Sequence, residues 1–398
     1  MAELAAAWAQ WHRTLDEMRA AVEATPRYRD HPEHRAQAIQ SLLEAEAMVH
    51  NQVIAPRPER PRCFNRTGWN PDVLALGQPA ADGLYGHLLL DGRRSYTLRG
   101  RIGEVRIMLL QVYNEVFGHA GYHMLGNYDV STLAAPDGTF EITCSAERPD
   151  AGPWIPLDPA SGHNFVLVRR FFDDWFVDMG SLDVEVHGAA EPWPFTDEAA
   201  LARRLEAATS YLRYLVVRFT IGLYDFYLDA AGGPNRIDYS AGETIPDIAG
   251  NPVTYYGWGV IEVGPEDAVI VEQELPDSAY WSFQLGDVWS RPIEPMHRQS
   301  DLNARRAVVD ADGRVRAVIS RRDPGVPNWL DPGGRSEMVI VTRNYRERSQ
   351  VAGPVVRTVP FAELREHLPA GTPTITAERR AEALAHRTLG LSRLFEGR

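Results

Sequence analysis

The chain has 398 residues, 44% of them hydrophobic, and a formal net charge of −13. That length accommodates two or three domains with a sizeable core, and the composition excludes wholesale disorder. The acidic balance argues against nucleic acid as the main partner, and the two cysteines, Cys63 and Cys144, lack the spacing of a disulfide framework or a thiolate zinc site.

The chain opens on "MAELAAAWAQWHRTLDEMRAAVEA", with an early Glu3 and no basic segment before an apolar core, unlike a secretory signal. No run approaches the roughly 20 apolar residues of a membrane span. A soluble, cytoplasmic protein without a membrane or nucleic-acid partner is expected. Over 2–25, Leu4, Trp8, Trp11, Leu15 and Met18 recur at helical spacing. A second helix is expected over 32–53, ended by the proline-rich connector "IAPRPERPRCF".

From Gly83 the period changes. "LYGHLLLDGRRSYTLRGRIG" reads as a hairpin turning at Asp91-Gly92. "EVRIMLLQVYNE", "GTFEITCSA", "FVLVRRFFDDW" and "LDVEVHG" are further strands, spaced as in an antiparallel sandwich. A long helix follows, with Thr196 as its cap, Asp197 and Glu198 in its first turn, and an end at Gly232-Gly233-Pro234. It is either continuous or bent near Gly222. A second β block then holds "DAVIVEQEL", "AYWSFQLGD", "RRAVVDADGRVRAVISRR", with a hairpin turn at Asp312-Gly313, and "SEMVIVTRNYR". A short helix near 361–367 and a last one over about 377–395 close the chain. No tandem repeat is evident.

The predicted fold is α+β: two antiparallel, jelly-roll-like β-sandwich regions, an N-terminal helical pair and a long connecting helix. The corresponding segments are 1–60 (helical), 61–195 (first sandwich), 196–232 (helix), 233–360 (second sandwich) and 361–398 (helical tail).

No phosphate-binding P-loop, Rossmann glycine signature or GxSxG elbow is present, which removes the commonest nucleotide, hydride-transfer and hydrolase readings. His119 and His123 sit four apart, but Gly118 and Gly121 argue against the helix a shared metal would need. No metal and no cofactor are expected.

The richest local signal is the second β block. Tyr280, Ser282 and Gln284 share one strand face; Trp281, Phe283 and Leu285 share the other. The following turn, "EPMHRQSDLN", holds His297 and Arg298, and the loop "DPGVPNWLDPGG" sets Asn328 and Trp329 among prolines and glycines. Arg343 and Tyr345 lie on the strand face of Val339 and Val341. A buried arginine there requires an anionic partner, either a ligand or an internal aspartate such as Asp323 or Asp331.

"YWSFQLGDVW", "SDLN", "ADGRVRAVIS", "RRDPGVPNWLDPGG" and "RNYR", in that order over about residues 250–350, resemble the C-terminal signature of the bacterial family catalogued as domain of unknown function 1214. Residues 65–190 are similar in layout to the partner domain catalogued as 1254, with "DGRRSYTLRGRIG" recognisable and "NPDVLALGQPAADGLYG" expanded. The resemblance implies β-sandwiches, the C-terminal one jelly-roll-like, and no particular activity. It also implies that the proline–glycine loop recurs as a unit, with Trp329 anchoring it.

Three functions fit. The first is an enzyme acting by metal-independent acid/base chemistry on a polar or anionic small molecule in a pocket of the C-terminal sandwich. His297 would carry the proton, paired with Glu294 or Asp301. Tyr280, Trp289, Trp329 and Tyr345 would supply apolar surface, and Arg298, Asn303, Asn328 and Arg343 polar contacts. The second is a binder of saccharides or other small molecules, and the third a homo-oligomeric assembly protein using the N-terminal helices.

Overall fold

The computed structural model describes residues 2–188, 197–242, 250–275, 277–348 and 352–396, in two compact units. The first takes the chain up to 76, 83–172 and 177–220; the second takes 77–82, 173–176 and everything from 221 onward. Each unit holds one five-stranded and one four-stranded sheet, so the α+β class and the two β-sheet domains are as expected.

In the first unit, α1 (Ala2–Glu23), α2 (Pro26–Arg29) and α3 (Arg35–Val49) precede the sheets. Thr25 caps α2 by accepting from the Tyr28 amide, with Pro26 at the first helical position, where its missing N–H costs nothing. The strands are β1 (Phe64–Asn65), β2 (Gly83–Leu90), β3 (Tyr96–Arg101), β4 (Ile107–Tyr113), β5 (Met124–Asp129), β6 (Thr139–Ser145), β7 (Trp154–Pro156), β8 (Asn164–Phe171) and β9 (Ser181–Val186). They form the sheets β1-β2-β8-β4-β5 and β7-β6-β3-β9. Helix α4 (Glu198–Tyr214) packs Ala202 and Leu205 against Ala7 of α1, and its Tyr211 and Tyr214 rings lie against Phe117. Asp197 caps α4 through the Ala199 amide; Thr196, the expected cap, lies outside the described residues. The helix then loosens into a π-helical stretch, Leu215–Ile221, just before Gly222.

The second unit continues with α5 (Gly222–Ala231), closed by Gly232 at φ +70°, and with β10 (Asp238–Ala241), β11 (Thr254–Glu262), β12 (Asp267–Glu274), β13 (Tyr280–Gly286), β14 (Asp301–Asn303), β15 (Arg314–Ile319), β16 (Trp329–Leu330), β17 (Glu337–Tyr345), β18 (Val355–Pro360) and α6 (Ala377–Glu396). Its sheets run β10-β11-β17-β13-β14 and β16-β15-β12-β18. Trp281, Phe283 and Leu285 of the first and Val269, Val271 and Val315 of the second join one buried cluster. Such a two-layer core forms because each strand alternates an apolar inner face. The other face of the five-stranded sheet carries Tyr256 and Trp258, with Tyr227 of α5 stacked on Trp258.

Advancing every strand of the first unit by nine places gives the second unit's strand order, parallel pairs β6–β7 and β15–β16 included. The fold is therefore an internal duplication, which the sequence reading missed. Its trace is the pair "PDGTFEITCSAERPDAGPWIPLDP" (136–159) and "ADGRVRAVISRRDPGVPNWLDP" (311–332). The local bonding repeats as well. Ser145 Oγ donates to the Glu147 carbonyl (2.6 Å) and Ser320 Oγ to that of Arg322 (2.8 Å). Trp154 Nε1 donates to the Ser145 carbonyl (3.2 Å) and Trp329 Nε1 to that of Ser320 (3.0 Å). The tryptophan in each loop thus ties it to the end of the preceding strand.

Two turn expectations are corrected. Asp91-Gly92 is not a hairpin: β2 and β3 belong to different sheets. Gly92 is needed for close approach, since a Cβ there would lie 1.7 Å from the Asp158 carbonyl oxygen. Asp312-Gly313 does form a tight turn, with the Asp310 amide donating to the Arg314 carbonyl, but residues 304–311 just before it are not in a strand.

His87, in the middle of β2, is fully buried between the Phe64 and Phe165 rings, with Nε2 3.2 Å from the Asn51 carbonyl. Burial pushes its pKa down from 6.5 to about 4. An unfolded chain therefore takes up a proton at this residue between pH 6.5 and 4 that the folded chain refuses. The His87 contribution is complete above pH 6.5 and is lost as pH falls toward 4, by about 3 kcal/mol. Chemical denaturation of wild type and His87→Leu across that range should show a shallower acid loss in the variant. Equal slopes would contradict the assignment.

Candidate functional site

The residues anticipated in the C-terminal sandwich separate into three groups. Tyr280, Asp301 and Asn303 meet in a buried ionic network. Arg387 of α6 and Arg306 each donate to Asp301, the former at 2.5 Å, and Arg306 continues to Asp82 at 2.9 Å. The Tyr280 hydroxyl (3.1 Å) and Asn303 Nδ2 (3.0 Å) also donate to Asp82. The Trp175 ring lies beneath both guanidinium groups, at 4.3 Å from Arg306 and 5.1 Å from Arg387. Burial pushes both carboxyls up. At Asp301 the charges of Arg387 and Arg306 outweigh it, whereas Asp82 stays raised. Two carboxylates and two guanidiniums close on one another, an arrangement that holds segments together.

The second group joins turn to loop. Arg298 donates to Glu294 (2.8 Å) and to Asp331 (3.0 Å), and Gln299 Nε2 donates to the carbonyls of Pro327 and Trp329, each at 2.7 Å. Asn328 exchanges two bonds with the Val308 backbone. His297 is exposed and makes no side-chain hydrogen bond among the described residues. Its expected partners are taken: Glu294 by Arg298, Asp301 by Arg306 and Arg387. The fixed charge and fork of a guanidinium outcompete an exposed imidazole for a carboxylate.

The third group lies elsewhere. Arg343 and Tyr345 are buried on the face of β17 turned away from the inter-sheet core, not beneath those loops. Arg343 donates to Gln284 Oε1 (3.1 Å) and the Gln78 carbonyl (2.6 Å), while Asp323 is held by Arg380. Trp289 is wholly buried and offers no stacking surface; Trp329 is partly buried. A pocket beside Asn328 measures about 10 Å³, room for roughly one water.

The first unit offers a larger opening, a cleft of about 330 Å³. It is lined in part by Glu115, on the turn leaving β4, and by Ser161 and His163, on the loop entering β8. The Asn164 side chain fixes that loop, accepting from the Asp158 amide (2.7 Å) and donating to the carbonyls of Asp158 and Ser161. On the β4 side, Gly118 adopts φ +77° and lets the turn approach α4 so closely that a Cβ would lie 2.7 Å from that of Tyr214.

Glu115 is buried, and both its oxygens are used. Ser161 Oγ donates to Oε2 at 2.7 Å, and His163 Nδ1 stands 3.3 Å from Oε1. His119 Nδ1 is 3.8 Å from Oε2. Burial pushes the Glu115 carboxyl up, but the hydrogen bond and charge of His163, then Ser161 and the Val116 amide, bring it below its ordinary value of 4.5. It is a carboxylate at neutral pH. The two imidazoles approach different oxygens, which suits hydrogen bonding more than shared metal coordination. Among the described residues one trio, His31, Glu33 and His34, does gather ligand atoms within 4.8 Å, at an exposed turn.

Glu115, Ser161 and His163 were not singled out in the sequence. The signal that would have found them is the duplication, since "WIPLDPASGHN" is the first unit's counterpart of the loop that drew attention in the second.

A family model described as "Protein of unknown function (DUF1214)" matches residues 87–174 and 268–348. The second stretch is the region where the resemblance was expected; the first shows the same model matching the middle region too. No curated protein matches the chain. Among solved structures, an uncharacterized protein from Burkholderia cenocepacia is similar over 91% of this chain and 99% of its own, with 25% identity and a TM-score of 0.80. The VPA0106 protein from Vibrio parahaemolyticus aligns over 81% of this chain and 98% of its own, with 12% identity and a TM-score of 0.46. Among the described residues no helix is long and apolar enough to cross a membrane.

The ionic network of the second unit gives a direct test of its structural role. Arg387→Met leaves a buried carboxylate short of a partner and should cost about 3–5 kcal/mol in denaturant unfolding. Adding Asp301→Asn to it should cost less than the sum of the two single changes, because the groups form one network. Additive losses would show that they act separately.

Proposed function

We propose that the chain is an enzyme of small-molecule metabolism that transfers a proton in the cleft of the first unit, at the Glu115–His163 pair. The observation that carries this reading is a buried, ionised carboxylate holding an imidazole at the wall of a cleft of about 330 Å³. Glu115 is a positioning residue. By engaging Nδ1 it fixes the tautomer and leaves Nε2 as the nitrogen that takes or gives a proton. Ser161 spends its hydroxyl hydrogen on Glu115, so it orients the carboxylate and is not the nucleophile. The reaction class is general acid/base catalysis on a polar substrate. The acid/base reading thus moves from the C-terminal sandwich, where carboxylates are locked by arginine, to the same corner of the other repeat, where they are held by histidine.

Saccharide binding fits less well, because among the described residues no Trp, Tyr or Phe ring lines the cleft to stack on a sugar face. A homo-oligomer joined through the N-terminal helices is a second reading, favoured by the exposed Trp8, Ile39 and Leu43.

The test is proton NMR in D₂O on the full chain with small hydroxy acids, oxo acids and phosphate monoesters, reading exchange or conversion. His163→Gln should lower the wild-type rate by roughly 10² to 10⁴ without unfolding the protein. Turnover that survives His163→Gln would contradict the assignment, as would a wild-type chain that converts none of these compounds.

A further inference from the structure

We propose that Arg203 and Arg204, consecutive on α4, form an anion subsite of this cleft, so that its ligand carries a carboxylate or a phosphate. The inference rests on the cleft being the working site and names the substrate class it takes. Both arginines line the same opening as Glu115 and His163. Asp197 starts α4 by capping it, which puts the two guanidinium groups in the second turn of a helix pinned to α1.

The charges around Arg204 are unbalanced. It is half-buried, yet makes no hydrogen bond or ion pair among the described residues. Arg57 and Arg203 both bear on it with like charge, and Glu59 is the carboxylate whose charge reaches it. Arg57 is fixed in place, its Nη1 donating to the carbonyls of Ile54, Ala55 and Pro56. The other carboxylates of the cleft are committed or exposed. Arg93 grips Asp91 with two bonds, at 2.8 and 2.7 Å; Glu115 belongs to Ser161 and His163; Glu206 is exposed. Burial, then the charge of Arg57, push the Arg204 pKa down, the direction expected of a cation short of a counter-charge. A carboxylate or phosphate entering the cleft supplies that charge, and a guanidinium meets either with two parallel N–H···O bonds. The anionic end would then seat on α4 and leave the rest of the molecule toward His163.

Isothermal titration of the full chain at low salt with inorganic phosphate, and separately with succinate, tests this and distinguishes the two anions. At least one should bind, with Arg204→Gln weakening it about tenfold or more and Arg204→Lys weakening it less, because the charge remains. His163→Gln should keep anion binding within about threefold, so the subsite stands even if no turnover is found. Unchanged affinity in Arg204→Gln, with its fold verified by circular dichroism, would overturn the proposal. Failure of both anions to bind the wild type would do the same.

Discussion

The structure depends on how a strand buried on both faces accommodates an arginine. In each unit the central strand of the five-stranded sheet, β8 or β17, is buried almost throughout, and each carries one on the face turned toward helices. The ladder registers place Gln111 and Arg169 of the first unit where the second has Gln284 and Arg343. A guanidinium at such a position needs acceptors close at hand. The second unit obtains them from the short segment 77–82, whose Gln78 carbonyl meets Arg343 and whose Pro79 carbonyl meets Gln284. Asp82 of the same segment faces Arg306, and 173–176 contributes Trp175 beneath the pair of arginines. The polar interior thus explains why two short pieces of early chain belong to the later unit.

The two repeats have resolved the same corner in different ways. Where β13 ends, Asp287 is held by Arg291 and by the amides of Trp289 and Arg291, and the neighbouring turn is closed by Arg298 on Glu294 and Asp331. Guanidinium groups do not give up protons in the physiological range, so these contacts only fasten loops. Where β4 ends, the carboxylate is Glu115 and the partners are a serine and imidazoles. An imidazole, unlike a guanidinium, carries a second ring nitrogen that can accept as well as donate.

Much of the fold was legible in the sequence because it rests on periodicity. The alternation of "AYWSFQLGD" separated Trp281, Phe283 and Leu285 from Tyr280, Ser282 and Gln284, and these do lie on opposite faces of β13. Turn chemistry was less informative. Asp91-Gly92 is a good hairpin signal, but Gly92 is there because the 158–164 loop passes over it, a contact no local pattern encodes. The site was harder still. Clustered Arg, Asp and His in "EPMHRQSDLN" suggested chemistry, yet Arg387, distant in sequence, and Arg306 neutralise Asp301. Glu115 and His163, 48 positions apart, meet only when β4 and β8 pair.

The central claim is that Glu115 holds His163 with its proton on Nδ1 and Nε2 left to act. Nitrogen-15 NMR of the histidine side chains reads this directly, because the two ring nitrogens shift oppositely in the two neutral tautomers. The account predicts the Nδ1–H form for His163 in the wild type, with a shift toward the Nε2–H form in Glu115→Gln, where the acceptor charge is removed. A neutral Nε2–H imidazole in the wild type, unchanged by that substitution, would contradict it.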